Sequence, residues 1–124
     1  MIDLINSAIA LLTIALGLFG FLAPRYTAEA LDFKLADTTM GLSELRASAG
    51  GLFVIMGLAC LITGASGAYA MLGVAYAGAA LGRLLSIVLD KPPLRKATLW
   101  FAFEALPACW LLAANPGPWN AVVT

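Results

Sequence analysis

Apolar residues fall in four long runs, at residues 4–23, 46–64, 68–89 and 98–114, and polar residues gather between them. None of the runs keeps the strict alternation that marks a half-buried strand. A helix needs about 20 apolar residues to cross roughly 30 Å of hydrocarbon, so the pattern predicts four membrane-spanning helices. Pro24-Arg25 is expected to end the first. The longest polar segment, residues 25–45, carries Glu29, Asp32, Lys34, Asp37 and Glu44. Within it Ala28, Leu31 and Leu35 recur at helical spacing and predict a short interfacial helix. Ser43 is placed to cap the second span. Ala65-Ser66-Gly67 predicts a tight connection to the third. Lys91-Pro92-Pro93 breaks the chain before the fourth, and Asn115-Pro116-Gly117-Pro118 stops it, with Trp119 at the interface, where indole is favoured. Short connections make consecutive helices antiparallel neighbours. The expected fold is all-α: one integral membrane domain over residues 1–124, a four-helix bundle running up-down-up-down.

Composition agrees with that pattern. Of 124 residues, 62% are hydrophobic and 11% charged, whereas soluble domains are roughly a quarter charged. A chain this short cannot hide so much apolar area in one core, and lipid is the natural place for the excess. Seven basic residues balance seven acidic ones, without the basic cluster that nucleic acid demands, so no nucleic-acid partner is expected. There is no histidine, which removes the commonest general base and metal ligand. Cys60 and Cys109 stand alone in apolar surroundings and are expected to be buried, inert thiols rather than part of a metal site. No nucleophile–base pair, phosphate loop or metal cluster is legible, so neither an enzyme nor a cofactor is expected. The first run has Asp3 as its only charge before Arg25. It lacks the basic start of a signal peptide and reads as a retained helix.

Two charges lie inside the predicted spans. Arg83 precedes Asp90 by seven residues, and Glu104 follows Thr98 by six. At 1.5 Å per residue each sits about 10 Å from the same end of its helix. An isolated charge in hydrocarbon costs several kcal/mol, so the two are expected to meet. Arg46 opens the second span on the same side. The expected polar cluster is Arg46, Arg83 and Glu104, with Glu44 and Asp90 at its rim. Two readings stay open: an ion pair that only fixes helix register, or a cluster that also binds a lipid headgroup, an anionic ligand or a proton. Gly78 and Gly82 form a GxxxG pattern, and Gly50 and Gly51 sit in a second small-residue stretch. These four glycines are expected to pack helices, within the chain or against a second copy. Pro107 leaves the Phe103 carbonyl without its helical partner.

Glu44-Leu45-Arg46-Ala47 followed by Gly50-Gly51, then Gly82-Arg83-Leu84 with Asp90 downstream, then a lone acid, Glu104, in the last span, occur here in that order. With the four-span layout they resemble the small bacterial membrane proteins of domain-of-unknown-function family 4345. The resemblance covers nearly the whole chain. It departs from the family pattern at Ala49, where an aromatic is frequent before the glycine pair, and at Lys91, where a glycine is frequent after the aspartate. It implies a four-helix membrane protein of the bacterial inner membrane and no assigned reaction. The function expected is that of a structural or accessory membrane protein. The alternative is a small ion-coupled or small-molecule carrier, or a lipid-binding protein, using Glu104 and Arg83. The partners expected are the lipid bilayer and a larger membrane complex or a second copy of the chain.

Charge also orients the spans. Arg25, Lys34, Arg46, Lys91, Arg95 and Lys96 all fall on the side holding residues 25–45 and 90–97, and no Lys or Arg falls on the other. Basic residues near span ends stay cytoplasmic. Both termini are therefore expected on the non-cytoplasmic side. A reporter that works only in the cytoplasm, fused after Thr124, should be inactive; activity there would refute this orientation.

Overall fold

The computed structural model describes residues 2–116. Gly117, Pro118 and Trp119, which enter the expected chain stop and interface anchor, lie outside the described residues. Five helices form: α1 (Ile2–Leu22), α2 (Pro24–Ala30), α3 (Met40–Thr63), α4 (Ser66–Leu89) and α5 (Leu94–Ala114). No strand occurs among the described residues. All but α2 are long and apolar enough to cross a membrane. The chain divides into two compact units, one of Asp3–Thr63 and one beginning at Gly64.

In the first unit α1 and α3 run antiparallel and meet backbone to backbone. Gly57 lies against Ala10 and Ile14, Gly17 against Phe53 and Val54, and Gly20 against Ala49. A Cβ added at Gly20 would collide with the Ala49 carbonyl, and one at Gly50 would lie 2.5 Å from the Phe21 nitrogen. The residues that α1 buries are Asn6, Ala10, Thr13, Gly17 and Gly20. They alternate steps of four and three, one narrow stripe of small side chains that lets another helix come close. The facing part of α3 is a π-helical turn over Ala47–Gly51, in which the Leu52 N–H reaches back five residues to the Ala47 carbonyl. Such a turn holds one extra residue. Here it carries Gly50, which is buried, onto the α1 backbone.

The second unit is the α4–α5 hairpin. A Cβ at Gly73 would lie 2.9 Å from Leu111 Cβ. Nearer the turn Arg83 meets Glu104. As numbers rise along α4 the partners on α5 fall, so this pair too is antiparallel. Its core includes Tyr69, Ala70, Leu72, Tyr76, Ala97, Ala108 and Leu111. Helix α5 continues through Pro107, which is buried.

Several local expectations need correction. The polar segment is more helical at its ends than the apolar pattern implies. Pro24 does not merely end α1: it opens α2, where its missing N–H costs nothing. The repeat Ala28, Leu31, Leu35 does not continue as a helix, because α2 closes at Ala30. Phe33 N–H bonds the Ala28 carbonyl and Asp32 N–H the Glu29 carbonyl, with Asp32 at φ 62. That is the Schellman arrangement, with aspartate in the left-handed position usually taken by glycine. Helix α3 starts six residues before the expected span, since Ser43 and Glu44 are compatible with a helix though not with hydrocarbon. Ser43 is therefore inside the helix. Thr39 occupies the cap position, and the Thr38 hydroxyl accepts from Met40 N–H. Helices α4 and α5 likewise begin earlier than expected, at Ser66 and Leu94. Gly64, at φ 60, makes the turn out of α3.

Gly78 and Gly82 do not pack helices among the described residues. A Cβ at either would meet nothing within 4 Å. The reason is helical phase: Tyr69, Gly73, Tyr76 and Ala80 form the buried stripe of α4, and Gly78 and Gly82 fall on the opposite face. Phase also corrects Cys109, which is exposed while Cys60 is buried. Ala108 and Leu111 take the buried stripe of α5, and Cys109 lies off it.

Reversible unfolding in detergent micelles tests these contacts and the backbone at Lys91. Gly20→Ala should destabilise by about 1–3 kcal/mol through overpacking. Gly78→Ala and Gly82→Ala should instead stabilise by roughly 0.5–1 kcal/mol each, because alanine is the better helix former. Lys91 lies at φ 49, where a side chain costs about 1 kcal/mol. Lys91→Gly should raise stability by up to that amount, and a loss would refute the strain.

Candidate functional site

The hairpin brings one acid and one base together in apolar surroundings. Arg83 lies six residues before the end of α4, and Glu104 ten residues after the start of α5. Along the helix axes these positions are about 9 and 15 Å from the turn. Side chains tilt toward the N-terminus of their own helix. Arg83 therefore leans away from the turn and Glu104 toward it, so the opposed tilts close the gap between the two levels.

The contact is bidentate. Arg83 Nε donates to Glu104 Oε1 at 2.9 Å, and Nη2 donates to Oε2 at 3.1 Å. The planar fork of the guanidinium matches the carboxylate, the strongest form of such a pair. Arg83 keeps 34% of its side-chain surface exposed and Glu104 14%. Trp100 and Phe103, whose ring centroids are 5.9 Å apart, lie beside Glu104 on α5. In water a pair this open would contribute about 0–1 kcal/mol. Among the described residues neither charge has another ion-pair partner, and an unpaired charge in hydrocarbon costs several kcal/mol.

The other candidate residues have separate neighbours. Asp90 is exposed at the end of α4, where its Oδ2 accepts from the Ser86 hydroxyl at 2.9 Å. Arg46 belongs to the first unit. Its Nη1 donates to the Phe21 carbonyl at 2.6 Å, near the end of α1. Glu44 is exposed, and its backbone carbonyl accepts from the Ser48 hydroxyl at 2.8 Å. Gly50 sits in the tight α1 contact, whereas Gly51 meets Phe21 only at ordinary van der Waals distance. The structure thus joins Arg83 to Glu104, Asp90 to Ser86, and Arg46 to the chain end of α1.

Two features were missed from sequence. One is the α1 stripe, whose signal was present in the spacing of Asn6, Ala10, Thr13, Gly17 and Gly20. The other is the Phe21 carbonyl, which no side-chain pattern announces because the acceptor is backbone.

Fold and site together define an all-helical chain with four helices long and apolar enough to cross a membrane, and an arginine–glutamate pair inside one helical hairpin. The model of the domain of unknown function DUF4345 matches residues 3–114, nearly the whole chain, and the protein belongs to that family. No curated protein and no solved structure gives a significant match.

Proposed function

We propose that this is a multi-pass protein of the bacterial inner membrane, a structural or accessory component whose Arg83–Glu104 pair fixes the register of α4 against α5. The observation that carries this reading is the bidentate contact itself. Both carboxylate oxygens of Glu104 already hold the guanidinium. A carrier that loads a proton or cation on Glu104 would first have to break that pair, leaving Arg83 unpartnered in hydrocarbon. Large exposed apolar side chains along every long helix, such as Leu4, Ile62, Leu81 and Leu106, suit a lipid surround. The outward Gly78 and Gly82 leave one face of α4 free for a neighbour in a larger assembly.

A double-mutant cycle measured by unfolding in lipid micelles tests the proposal. Arg83→Leu and Glu104→Leu should each cost about 3–5 kcal/mol, because each leaves one buried charge alone. The double variant should recover most of that loss. Losses that simply add would show that the two side chains act separately and would sink the register role.

A further inference from the structure

At the start of α3 a shallow, open surface groove is lined by Thr39, Leu42, Ser43, Arg46 and Ala47. Steps of three, four, seven and eight residues from Thr39 put all five on one helix face. That face presents two hydroxyls and a guanidinium beside two apolar side chains. Arg46 is anchored there by the bond from Nη1 to the Phe21 carbonyl. A guanidinium has five N–H donors, so others remain to receive an acceptor. Among the described residues Arg46 has no carboxylate partner. Glu44, its near neighbour in sequence, points off this face by helical phase. None of residues 47–82 is charged, so Arg46 marks the boundary between polar and apolar parts of α3.

We propose that this groove binds the phosphate of an anionic phospholipid. The inference rests on the membrane reading above, which puts the polar–apolar boundary of α3 at the level of the headgroups. A phosphate there is an acceptor for the guanidinium and the two hydroxyls, and Leu42 and Ala47 offer apolar surface to the glycerol and upper acyl chain. The uncompensated charge of Arg46 selects an anionic headgroup. A zwitterionic one brings its own cation to compete. A single arginine on an open surface is too little charge to hold free phosphate against water, whereas a lipid phosphate is already delivered to this depth by its chains.

Native mass spectrometry of the full chain, released from micelles holding equal amounts of phosphatidylglycerol and phosphatidylcholine, tests the site. The unaltered protein should retain phosphatidylglycerol in preference, by about tenfold, the scale of one charge-assisted hydrogen bond. Arg46→Gln should abolish the preference. Thr39→Val with Ser43→Ala, which keeps the Arg46–Phe21 bond, should lower retention of both lipids several-fold and leave the preference in place. No preference in the unaltered protein, a preference unchanged in Arg46→Gln, or lipid retention unchanged in the hydroxyl variant overturns the proposal. So does displacement of the lipid by inorganic phosphate, which would assign the groove to the free ion. Protein that stays in solution without detergent instead defeats the membrane reading, and this inference with it.

Discussion

An arginine and a glutamate placed inside two apolar helices can be held in apolar surroundings only if they meet. That requirement shapes the second unit more than any other contact. It demands that α4 and α5 be neighbours, which the turn between Leu89 and Leu94 supplies. It demands the right face of each, which sets helix rotation. It also sets register, because a slip of one residue shifts the partners by about 1.5 Å and turns one by about 100°. A bidentate contact at 2.9 and 3.1 Å does not tolerate that. The opposed side-chain tilts explain why the two Cα atoms need not lie at one level. The ion pair is thus a ruler laid across the hairpin, and the small-residue contact of Gly73 with Leu111 holds the far end at a compatible spacing.

The first unit solves the same problem without charge. Its two long helices touch through backbone at Gly20 and Gly50, and at Gly17 the chain makes room for the Phe53 Cβ and the Val54 backbone. Dispersion between close backbones supplies the attraction, and it needs near-perfect fit because each atom pair contributes only about 0.1–0.2 kcal/mol. The π-helical turn belongs to that fit. It bulges α3 where α1 is thinnest, and Arg46 sits at its edge, giving an N–H to a carbonyl near the end of α1. One unit is therefore specified by shape and the other by charge.

How much of this was legible in the sequence follows the same division. Long apolar runs marked the four long helices, because hydrophobic length is a one-dimensional signal. Charge inside such runs is also conspicuous, and Arg83 and Glu104 stood out for that reason. Helix ends were less legible. Ser43, Glu44, Arg95 and Lys96 are polar, so an apolar window excludes them, yet each is a good or tolerable helical residue and the helices run on through them. The packing role of the glycines was only partly legible. GxxxG spacing is visible anywhere, but which face a helix turns inward depends on its whole buried stripe. Gly78 and Gly82 lost that contest to Gly73, Tyr76 and Ala80. The stripe of α1 was overlooked because asparagine and threonine stand in it beside glycine and alanine.

The motifs that carry the family resemblance can now be assigned physical work. Glu44-Leu45-Arg46-Ala47 and Gly50-Gly51 coincide with the start of α3, the π-helical turn and the α1 contact. Leu45 is the buried member, Arg46 reaches the α1 chain end, and Gly50 makes the close approach. Gly82-Arg83-Leu84, Asp90 and Glu104 coincide with the hairpin, its ion pair and its capped turn. Lys91 has a φ of 49, a conformation glycine adopts without strain. Arg46, Gly50, Arg83, Asp90 and Glu104 each thus have a partner within their own unit. The ion pair engages both carboxylate oxygens of Glu104. The polar face of α3 around Arg46 is different in kind: its donors outnumber their acceptors, so an interaction reaching outside the chain has its best physical footing there.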